Sequence, residues 1–199
     1  MSDKFKDKYR ILSTRLRGYD YGQSGAYFIT ICTKNRIPYL GEIQVNSVEA
    51  QDFAPSETHN NASLRPTLMG EIAIEYWKKI SEHFPFVVLD EFQIMPNHLH
   101  GIIIIDKPSS VETQYFASLQ SNYKNKFGPQ SGNLSSIVRG YKAAVKSFAT
   151  TNKIQFEWQP RFHDHIIRNH EEMSRISQYI AENPGNWSKD RDNEEGLFM

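Results

Sequence analysis

Two histidines separated by one residue, His98 and His100, are the side chains best suited to chemistry in this 199-residue chain. They follow the turn-forming pair Pro96-Asn97 and open an apolar run that ends at Ile105, which predicts that they begin a β-strand. Strand side chains alternate, so both imidazoles are expected on one face, about 7 Å apart at the backbone. Two neutral imidazoles placed in this way can hold a divalent metal ion, provided that a further ligand is present. The alternative is a pair of half-buried histidines beside a turn.

A predicted helix near the carboxyl end offers the further ligand and a nucleophile. Asn169 and Glu172 have the spacing of a capping box at its start, and Pro184 is expected to stop it after Asn183. On the helical wheel, Tyr179 and Asn183 lie on the same flank of a narrow apolar stripe and are neighbours four residues apart. We therefore expect a phenol and an amide oxygen at the edge of the core, where the histidine pair can meet them. The alternative is that Tyr179 only borders the core and Asn183 only ends the helix.

Hydrophobic periodicity predicts the elements that position these groups. The predicted strands cover 26–33, 86–95, 98–106 and 161–168, and the predicted helices cover 67–83, 134–150 and 169–183. The first six of these elements have the order βαββαβ, which predicts an α+β, ferredoxin-like fold: an antiparallel sheet with helices on one face, followed by a helix that carries the tyrosine.

The other segments are predicted to be mainly loops within a single domain of residues 1–199. A small hairpin of 41–45 with 48–53 is predicted, and the polar stretches 46–66 and 107–132 are expected to be surface loops. The single cysteine excludes an intrachain disulfide, and no apolar run approaches the length of a membrane span. These features favour a cytoplasmic protein.

The net charge is zero, but the charge is unevenly distributed. Residues 1–20 carry six Lys or Arg against three Asp, and residues 113–156 carry six Lys or Arg and no acid. The first region belongs to a basic, aromatic arm of residues 1–25, in which the candidate DNA-binding side chains are Arg15, Arg17 and Tyr19. In the second region, the predicted helix bears a cationic stripe of Arg139, Lys142 and Lys146. Both regions suit phosphates and unstacked bases, although solvated surfaces and terminal arms are often charged as well.

Three stretches together resemble a known protein family. They read YFITICTKN, FQIMPNHLHGIIII and WQPRFHDHIIRNHEEMSRISQYIAENPGNW. In this combination the chain is similar to the REP-associated tyrosine transposases, which belong to the HUH group of single-tyrosine DNA transposases and nucleases. The resemblance also includes the RLRGYDYGQSGAY arm and covers most of the chain apart from residues 46–66 and 107–132.

The resemblance implies roles for individual residues. His98 and His100 match the two metal-binding histidines, Tyr179 matches the catalytic tyrosine, and Asn183 stands where the group places a third, polar ligand, often a glutamine. The implied cofactor is Mg²⁺ or Mn²⁺. The implied reaction is cleavage and transfer of single-stranded DNA through a 5′-phosphotyrosine intermediate, at a repetitive extragenic palindrome that forms a hairpin. Monomers and homodimers are both compatible with the resemblance.

A second His-x-His pair, His163 and His165, is interpreted differently. His165 is expected to be structural or to face DNA, and a second metal site is not expected. Two alternatives to the transposase function remain open from the sequence: a metal-dependent nuclease that activates water without a covalent step, and a nucleic-acid-binding module without catalysis.

Overall fold

The structure, a computed structural model, describes residues 16, 18–45, 62–107 and 131–189. The strands in these ranges are β1 (Gly25–Cys32), β2 (Gly41–Val45), β3 (Ala62–Pro66), β4 (Val87–Met95), β5 (His98–Ile105) and β6 (His163–Ile167). The α-helices are α1 (Leu68–Lys78), α2 (Ile80–His83), α3 (Leu134–Thr151) and α4 (His170–Glu182). Short 3-10 helices occupy Lys34–Arg36 and Asn183–Lys189. No helix in the described part of the chain is long and apolar enough to cross a bilayer.

Four strands form the central sheet in the order β4-β5-β1-β6, and every pairing is antiparallel. With the small β2-β3 hairpin set aside, the chain passes through these strands and the intervening helices in the order βαββαβ. The predicted ferredoxin-like fold is therefore confirmed. The pairing places Thr30 opposite His100 and Cys32 opposite His98, so the histidines lie in the middle of the sheet.

The two faces of the sheet have separate apolar clusters because strand side chains alternate. On one face, α1 and α3 cover odd-numbered residues of β1 and β5, including Ile29, Ile31 and Leu99. On the other face, α4 covers a small cluster centred on Ile102, Ile167 and Ile180. The two crossover helices thus share a face, as predicted, and the tyrosine helix covers the opposite one.

Gly101 follows the histidine pair and lets a large side chain approach the sheet. A Cβ atom at this position would collide with the indole ring of Trp77 on α1. Trp77 is fully buried and also packs against Phe92 and Tyr141. The missing side chain therefore lets the first helix seat closely against the strand that carries the histidines.

The predicted hairpin of 41–45 with 48–53 is wrong in its pairing. Residues 41–45 pair with Ala62–Pro66, in a register that places Ile43 opposite Leu64, and residues 48–53 lie outside the described part of the chain. The predicted loop of 46–66 is consequently wrong over its last five residues. Ala62, Leu64 and Pro66 are half-buried and alternate with exposed residues, but such a short pattern is weak in a polar stretch. Its pairing with a distant strand decides the structure.

Asparagine and threonine side chains begin the helices. Thr67 accepts a hydrogen bond from the N–H of Gly70 at the start of α1, and Asn133 accepts from Ser136 at the start of α3. The predicted helix of 67–83 is divided into α1 and α2 at Lys79. Asn169 caps α4, as predicted, by accepting from the N–H of Glu172. The predicted capping box is not completed, because the Glu172 carboxylate accepts from the N–H of Arg168 instead of that of Asn169. Each cap satisfies an otherwise unpaired backbone donor and fixes where its helix begins.

Candidate functional site

The two imidazoles of the His98-x-His100 pair converge on one point. Both side chains are buried, and their Nε2 atoms are 3.0 Å apart. Two neighbouring ligands of an octahedral ion, each about 2.1 Å from it, are separated by about 3.0 Å. The predicted arrangement on one face is thus confirmed, and its spacing is that of two ligands of a single ion.

The outer nitrogen of each imidazole is held by a neighbouring oxygen. Nδ1 of His98 lies 2.8 Å from Oδ1 of Asn97, and Nδ1 of His100 lies 2.9 Å from Oγ1 of Thr30. An amide oxygen only accepts, so Nδ1 of His98 donates and its Nε2 retains the lone pair. Outer partners of this kind orient metal-binding histidines and fix their tautomers.

Aromatic rings enclose the pair. Phe28 stacks on His100 with ring centroids 5.3 Å apart, and Trp187 lies over His98 at 6.0 Å. The ring of Tyr179 is 5.4 Å from that of His100 and makes an edge contact with Phe28. Each histidine is consequently fixed by a hydrogen bond at one nitrogen and by a ring on its face.

Tyr179 brings its hydroxyl to this point from α4. Its oxygen lies 3.4 Å from Nε2 of His100, although the two residues are 79 positions apart in sequence. The residue is 49% exposed, so the tyrosine lies at the edge of the buried histidine pair and is partly open to solvent. The predicted meeting of the tyrosine with the histidine pair is what the structure shows.

Asn183 supplies a buried oxygen one helical turn after Tyr179. The residue is 2% exposed, and within the described part of the chain its Oδ1 atom has no hydrogen-bond partner. Burying an amide oxygen without a partner is costly, and a cation would supply the missing interaction. Gln178 and Glu182 instead hydrogen-bond to each other on the exposed side of the helix.

The donor set fits a hard or borderline divalent ion. Two imidazole nitrogens and one amide oxygen leave several coordination positions for water or substrate, which suits Mg²⁺ or Mn²⁺. In the described ranges, no cluster of three or more His, Cys, Asp or Glu side chains is arranged to hold a metal. Among the described residues, the buried and unpartnered oxygen of Asn183 is the candidate for a third ligand.

The second His-x-His pair lies on the same face of the sheet but on β6. Nε2 of His165 lies 2.8 Å from a carboxylate oxygen of Glu172 on α4. The pKa of the Glu172 carboxyl lies below its usual range. The main cause is the hydrogen bond from the backbone N–H of Arg168, and the second is the hydrogen bond with His165. This contact ties β6 to the tyrosine helix and favours the first of the two roles expected for His165, structural or DNA-facing.

The predicted DNA-binding residues are not all near this site. Arg15 and Arg17 lie outside the described residues. The ring of Tyr19 packs against those of Tyr21 and Tyr27, with centroids 5.0 and 6.4 Å apart. Arg139, Lys142 and Lys146 lie on α3, which packs on the opposite face of the sheet from α4. The structure therefore places this cationic stripe away from the tyrosine.

Sequence reasoning missed several residues that shape the site: Thr30, Asn97, Trp187 and Phe28. Asn97 adjoins the histidines, and its position directly before the His-x-His pair was an available signal. Thr30 is 70 positions from His100, and only the strand register makes them partners. No local pattern in the sequence indicates that pairing.

Comparison with known proteins relates these features to a fold and a family. A REP-associated tyrosine transposase bound to a REP hairpin superposes with a TM-score of 0.52 at 17% identity, covering 90% of this chain and 81% of the other. The described structure is thus an α+β domain with the fold of that transposase. A transposase from Deinococcus radiodurans aligns with a TM-score of 0.33 at 16% identity, covering 85% of this chain and 96% of the other, a likeness too low to define the fold.

A closer relative is known from sequence. An uncharacterized protein of Haemophilus influenzae is 36% identical over 180 residues, which cover 90% of this chain and 91% of that protein. This chain belongs to the same family as the Haemophilus protein. No protein-family model matches the chain.

Proposed function

We propose that this protein is a metal-dependent endonuclease and strand transferase that cuts single-stranded DNA through a 5′-phosphotyrosine intermediate. The observation that carries the proposal is the approach of the Tyr179 hydroxyl to within 3.4 Å of His100 Nε2, in a pair whose Nε2 atoms are 3.0 Å apart. A nucleophile beside two convergent metal-type ligands is the arrangement needed for attack on a phosphodiester.

The ion would be held by Nε2 of His98, Nε2 of His100 and Oδ1 of Asn183. Mg²⁺ and Mn²⁺ both suit this mixed nitrogen and oxygen set. When bound, the ion supplies neutralisation of the negative charge on the phosphate that otherwise repels a nucleophile. Asn97 and Thr30 orient the imidazoles by holding their Nδ1 atoms, so that both Nε2 atoms point to the same place.

Tyr179 performs the covalent step. A bond forms between its phenolic oxygen and phosphorus, and the bond between phosphorus and the 3′ oxygen breaks. The phenol loses one proton and the departing 3′ oxygen gains one, so the products are a 5′-phosphotyrosine and a free 3′-OH. The phosphotyrosine is still a phosphodiester, so attack by another 3′-OH rejoins DNA without a nucleotide cofactor. This property makes strand transfer, and thus transposition and recombination, accessible to the same site.

The position of Tyr179 favours a single-stranded substrate. Its half-exposed ring stands on the flank of a helix that lies against the sheet. A phosphate has to enter beside this flank to reach the hydroxyl, and a flexible single strand can be bent to do so more easily than a regular duplex. The transposase with the same fold is bound to a REP hairpin. We therefore propose a hairpin with single-stranded flanks, from a repetitive element, as the substrate.

A denaturing gel tests this function. The protein is incubated with Mn²⁺ and a panel of 5′-labelled and 3′-labelled hairpin oligonucleotides, and the products are scored for a protein–DNA adduct that survives denaturation. We expect the adduct to carry the 3′ label, because the tyrosine retains the 5′ phosphate of the downstream fragment. The upstream fragment should end in a free 3′-OH that a polymerase can extend.

Matched variants separate the proposed reaction from the two alternatives. Tyr179→Phe should abolish both the adduct and cutting, whereas Tyr76→Phe, a phenol on α1 at the opposite face, should leave both intact. Cutting that persists in Tyr179→Phe would indicate a nuclease that activates water. Strand binding with no cutting of any oligonucleotide would indicate a binding module. Equal cutting in EDTA would contradict the role of the metal.

A further inference from the structure

A second cavity lies on the face of the sheet opposite to the tyrosine helix. It is a cleft of about 530 Å³ between α3 and the segment that leads into β6. We call it the α3 groove and define it by six of its lining residues: Arg139, Lys142, Lys146, Trp158, Arg161 and Phe162. Its volume lies within the range of roughly 300–1,000 Å³ that is typical of small-molecule sites.

The α3 groove is strongly positive. Two arginines and two lysines line it against a single acid, Glu157, so the lining has a net charge of 4 − 1 = +3. The Glu157 carboxylate is also engaged by Lys34 in an ion pair, which lowers the pKa of Glu157 and keeps it charged. A concave surface with this balance attracts anions and focuses their approach.

The two lysines are fixed in place by backbone carbonyls. Nζ of Lys142 donates to the carbonyl oxygens of Gln159 and Arg161 at 2.6 and 2.7 Å, and Nζ of Lys146 donates to that of Phe156 at 2.7 Å. The ammonium groups of both lysines are therefore fixed by protein groups, whereas the sequence indicated only a cationic stripe on α3 that could bind phosphate or be solvated. Their charges are held in the wall of the cleft, with part of their side-chain entropy already lost.

Arg161 is held in the groove by an uncommon backbone conformation. Its φ angle is +68°, in the left-handed region that residues other than glycine seldom adopt. The hydrogen bond from Lys142 to its carbonyl stabilises this conformation. Backbone strain is often found at binding sites. Here the strained residue is Arg161, whose cation lines the positive cleft.

Two aromatic side chains, Trp158 and Phe162, complete the lining. The indole of Trp158 packs edge-on against Phe156 at 4.8 Å and lies 6.0 Å from Tyr141, so its orientation is fixed from behind. Cations combined with immobilised rings are the chemistry by which proteins bind the phosphate and base of an unpaired nucleotide.

We propose that the α3 groove binds one unpaired nucleotide of a nucleic-acid single strand, with its phosphate on the cations and its base against Trp158 and Phe162. The groove lies on the opposite face of the sheet from Tyr179, so the bound nucleotide is not at the site of covalent chemistry. The proposal goes beyond the cleavage function and does not depend on it, since binding here requires neither the metal nor the tyrosine.

Fluorescence anisotropy with a labelled oligothymidylate of about 10 nucleotides tests the groove in the Tyr179→Phe chain, where no cutting is expected. The test variant combines Arg139→Gln with Arg161→Gln. The matched control combines Lys78→Gln with Lys153→Gln, two exposed cations outside the groove lining. We expect the groove variant to bind roughly tenfold more weakly or worse. Its plot of log affinity against log salt should be flatter by about 1.4 if two phosphate contacts are lost, and the control should change neither quantity.

A second measurement reports on the aromatic wall without changing the charge. A base stacked on Trp158 should quench indole fluorescence, and this quenching should disappear in Trp158→Phe while the signals of Trp77 and Trp187 remain. Phe162→Ala should lower affinity for the strand by roughly 5-fold to 100-fold. Circular dichroism of each variant verifies that it is folded.

Three results would overturn the proposal. Equal affinity and equal salt dependence in the groove variant and its control would show that Arg139 and Arg161 do not contact the strand. Unchanged fluorescence quenching in Trp158→Phe would show that no base stacks on the indole of Trp158. Thymidine monophosphate that binds the groove as tightly as the oligonucleotide would make the ligand a free nucleotide instead of a strand. Failure of the cleavage function would give a different result. The protein with Tyr179 intact would form no covalent adduct with DNA, while the α3 groove would still bind the oligonucleotide.

Discussion

The two faces of the central sheet carry different kinds of side chain, apolar on one face and partly polar on the other, although the same strands supply both. On the α1 and α3 face, β1 and β5 contribute fully buried aliphatic side chains such as Ile29 and Leu99. On the α4 face, the neighbouring residues Thr30, His98 and His100 are polar and equally buried. Dense apolar packing on one face stabilises the strands, and this rigidity holds the imidazoles of the other face in register.

The difference predicts that substitutions at adjacent positions have separable effects. A change on the α1 and α3 face should alter the free energy of unfolding and leave chemistry per folded molecule intact. A change on the α4 face should alter metal binding and chemistry more than stability. Each prediction below compares a pair of variants that this separation should distinguish.

The largest effect is expected from the histidines. His98→Ala or His100→Ala should lower the cutting rate by roughly 10³-fold or more, because the proposed metal could no longer supply several kcal/mol of charge stabilisation. Affinity for the single strand should change little. The comparison variant is Leu99→Ala, between the two histidines on the other face, which should cost about 2–5 kcal/mol of stability. Cutting by Leu99→Ala, normalised to the folded fraction from a melting curve, should match that of the parent; a loss as large as that of His100→Ala would contradict the separation of the faces.

Asn183 should influence metal affinity and metal-free stability in opposite directions. Asn183→Leu removes a buried oxygen that lacks a hydrogen-bond partner, so stability without metal should rise, by up to about 1–3 kcal/mol. Affinity for Mn²⁺ should fall by roughly 10-fold to 100-fold. Asn183→Asp should bind Mn²⁺ more tightly because it adds a negative charge. Calorimetric titration and thermal melting measure both quantities, and a Leu variant that binds Mn²⁺ as the parent does would exclude Asn183 as a ligand.

Thr30 and Ile29 are successive residues of β1 that face opposite sides of the sheet. Thr30→Val removes the oxygen that holds Nδ1 of His100 and should weaken Mn²⁺ binding by roughly tenfold. Ile29→Val should cost about 0.5–1.5 kcal/mol of stability and leave Mn²⁺ affinity unchanged. Calorimetric titration with Mn²⁺ measures the affinity of both variants. Equal affinities in Thr30→Val and Ile29→Val would show that Thr30 does not position the imidazole of His100.

The parts of this structure that the sequence predicted are those encoded over short distances. The histidine pair, the cap at Asn169 and the shared flank of Tyr179 and Asn183 all follow from strand or helix periodicity. The βαββαβ order of the first six elements follows from the same patterns, and the meeting of Tyr179 with the histidines was expected from the helical wheel and the family resemblance.

What the sequence did not predict depends on contacts between distant segments. The partner of β2 is Ala62–Pro66 because two short strands pair across a long connection. The carbonyls that bind Lys142 and Lys146 belong to the segment after α3. A helical wheel shows that these lysines share a side of the helix but does not show what lies opposite them. The sequence therefore predicted the cationic stripe but not the carbonyl oxygens that fix its two lysines.

The smallest effect is a pH dependence of strand binding by the α3 groove. Burial lowers the pKa of Lys142 to about 8, so this lysine loses its positive charge as the pH rises through that value. Strand affinity should consequently fall above pH 8, by about 1 kcal/mol or roughly fivefold. Lys142→Arg keeps its charge and should abolish this dependence. The charged or titratable neighbours are unchanged in that variant: Arg139, Lys146, Arg161, Glu157 and Cys32. A pH profile identical in the two proteins would exclude Lys142 as its source.

Peptide mapping of the covalent adduct tests most directly whether the histidine face and the tyrosine helix form one catalytic centre. After incubation with Mn²⁺ and a cleavable hairpin strand, digestion with nuclease and trypsin should yield the peptide 176–189, in which Tyr179 is the only tyrosine, carrying a 5′-linked nucleotide. The mass should be absent when His100 is replaced by Ala. Attachment at another tyrosine, or cut DNA with no modified peptide, would contradict the account.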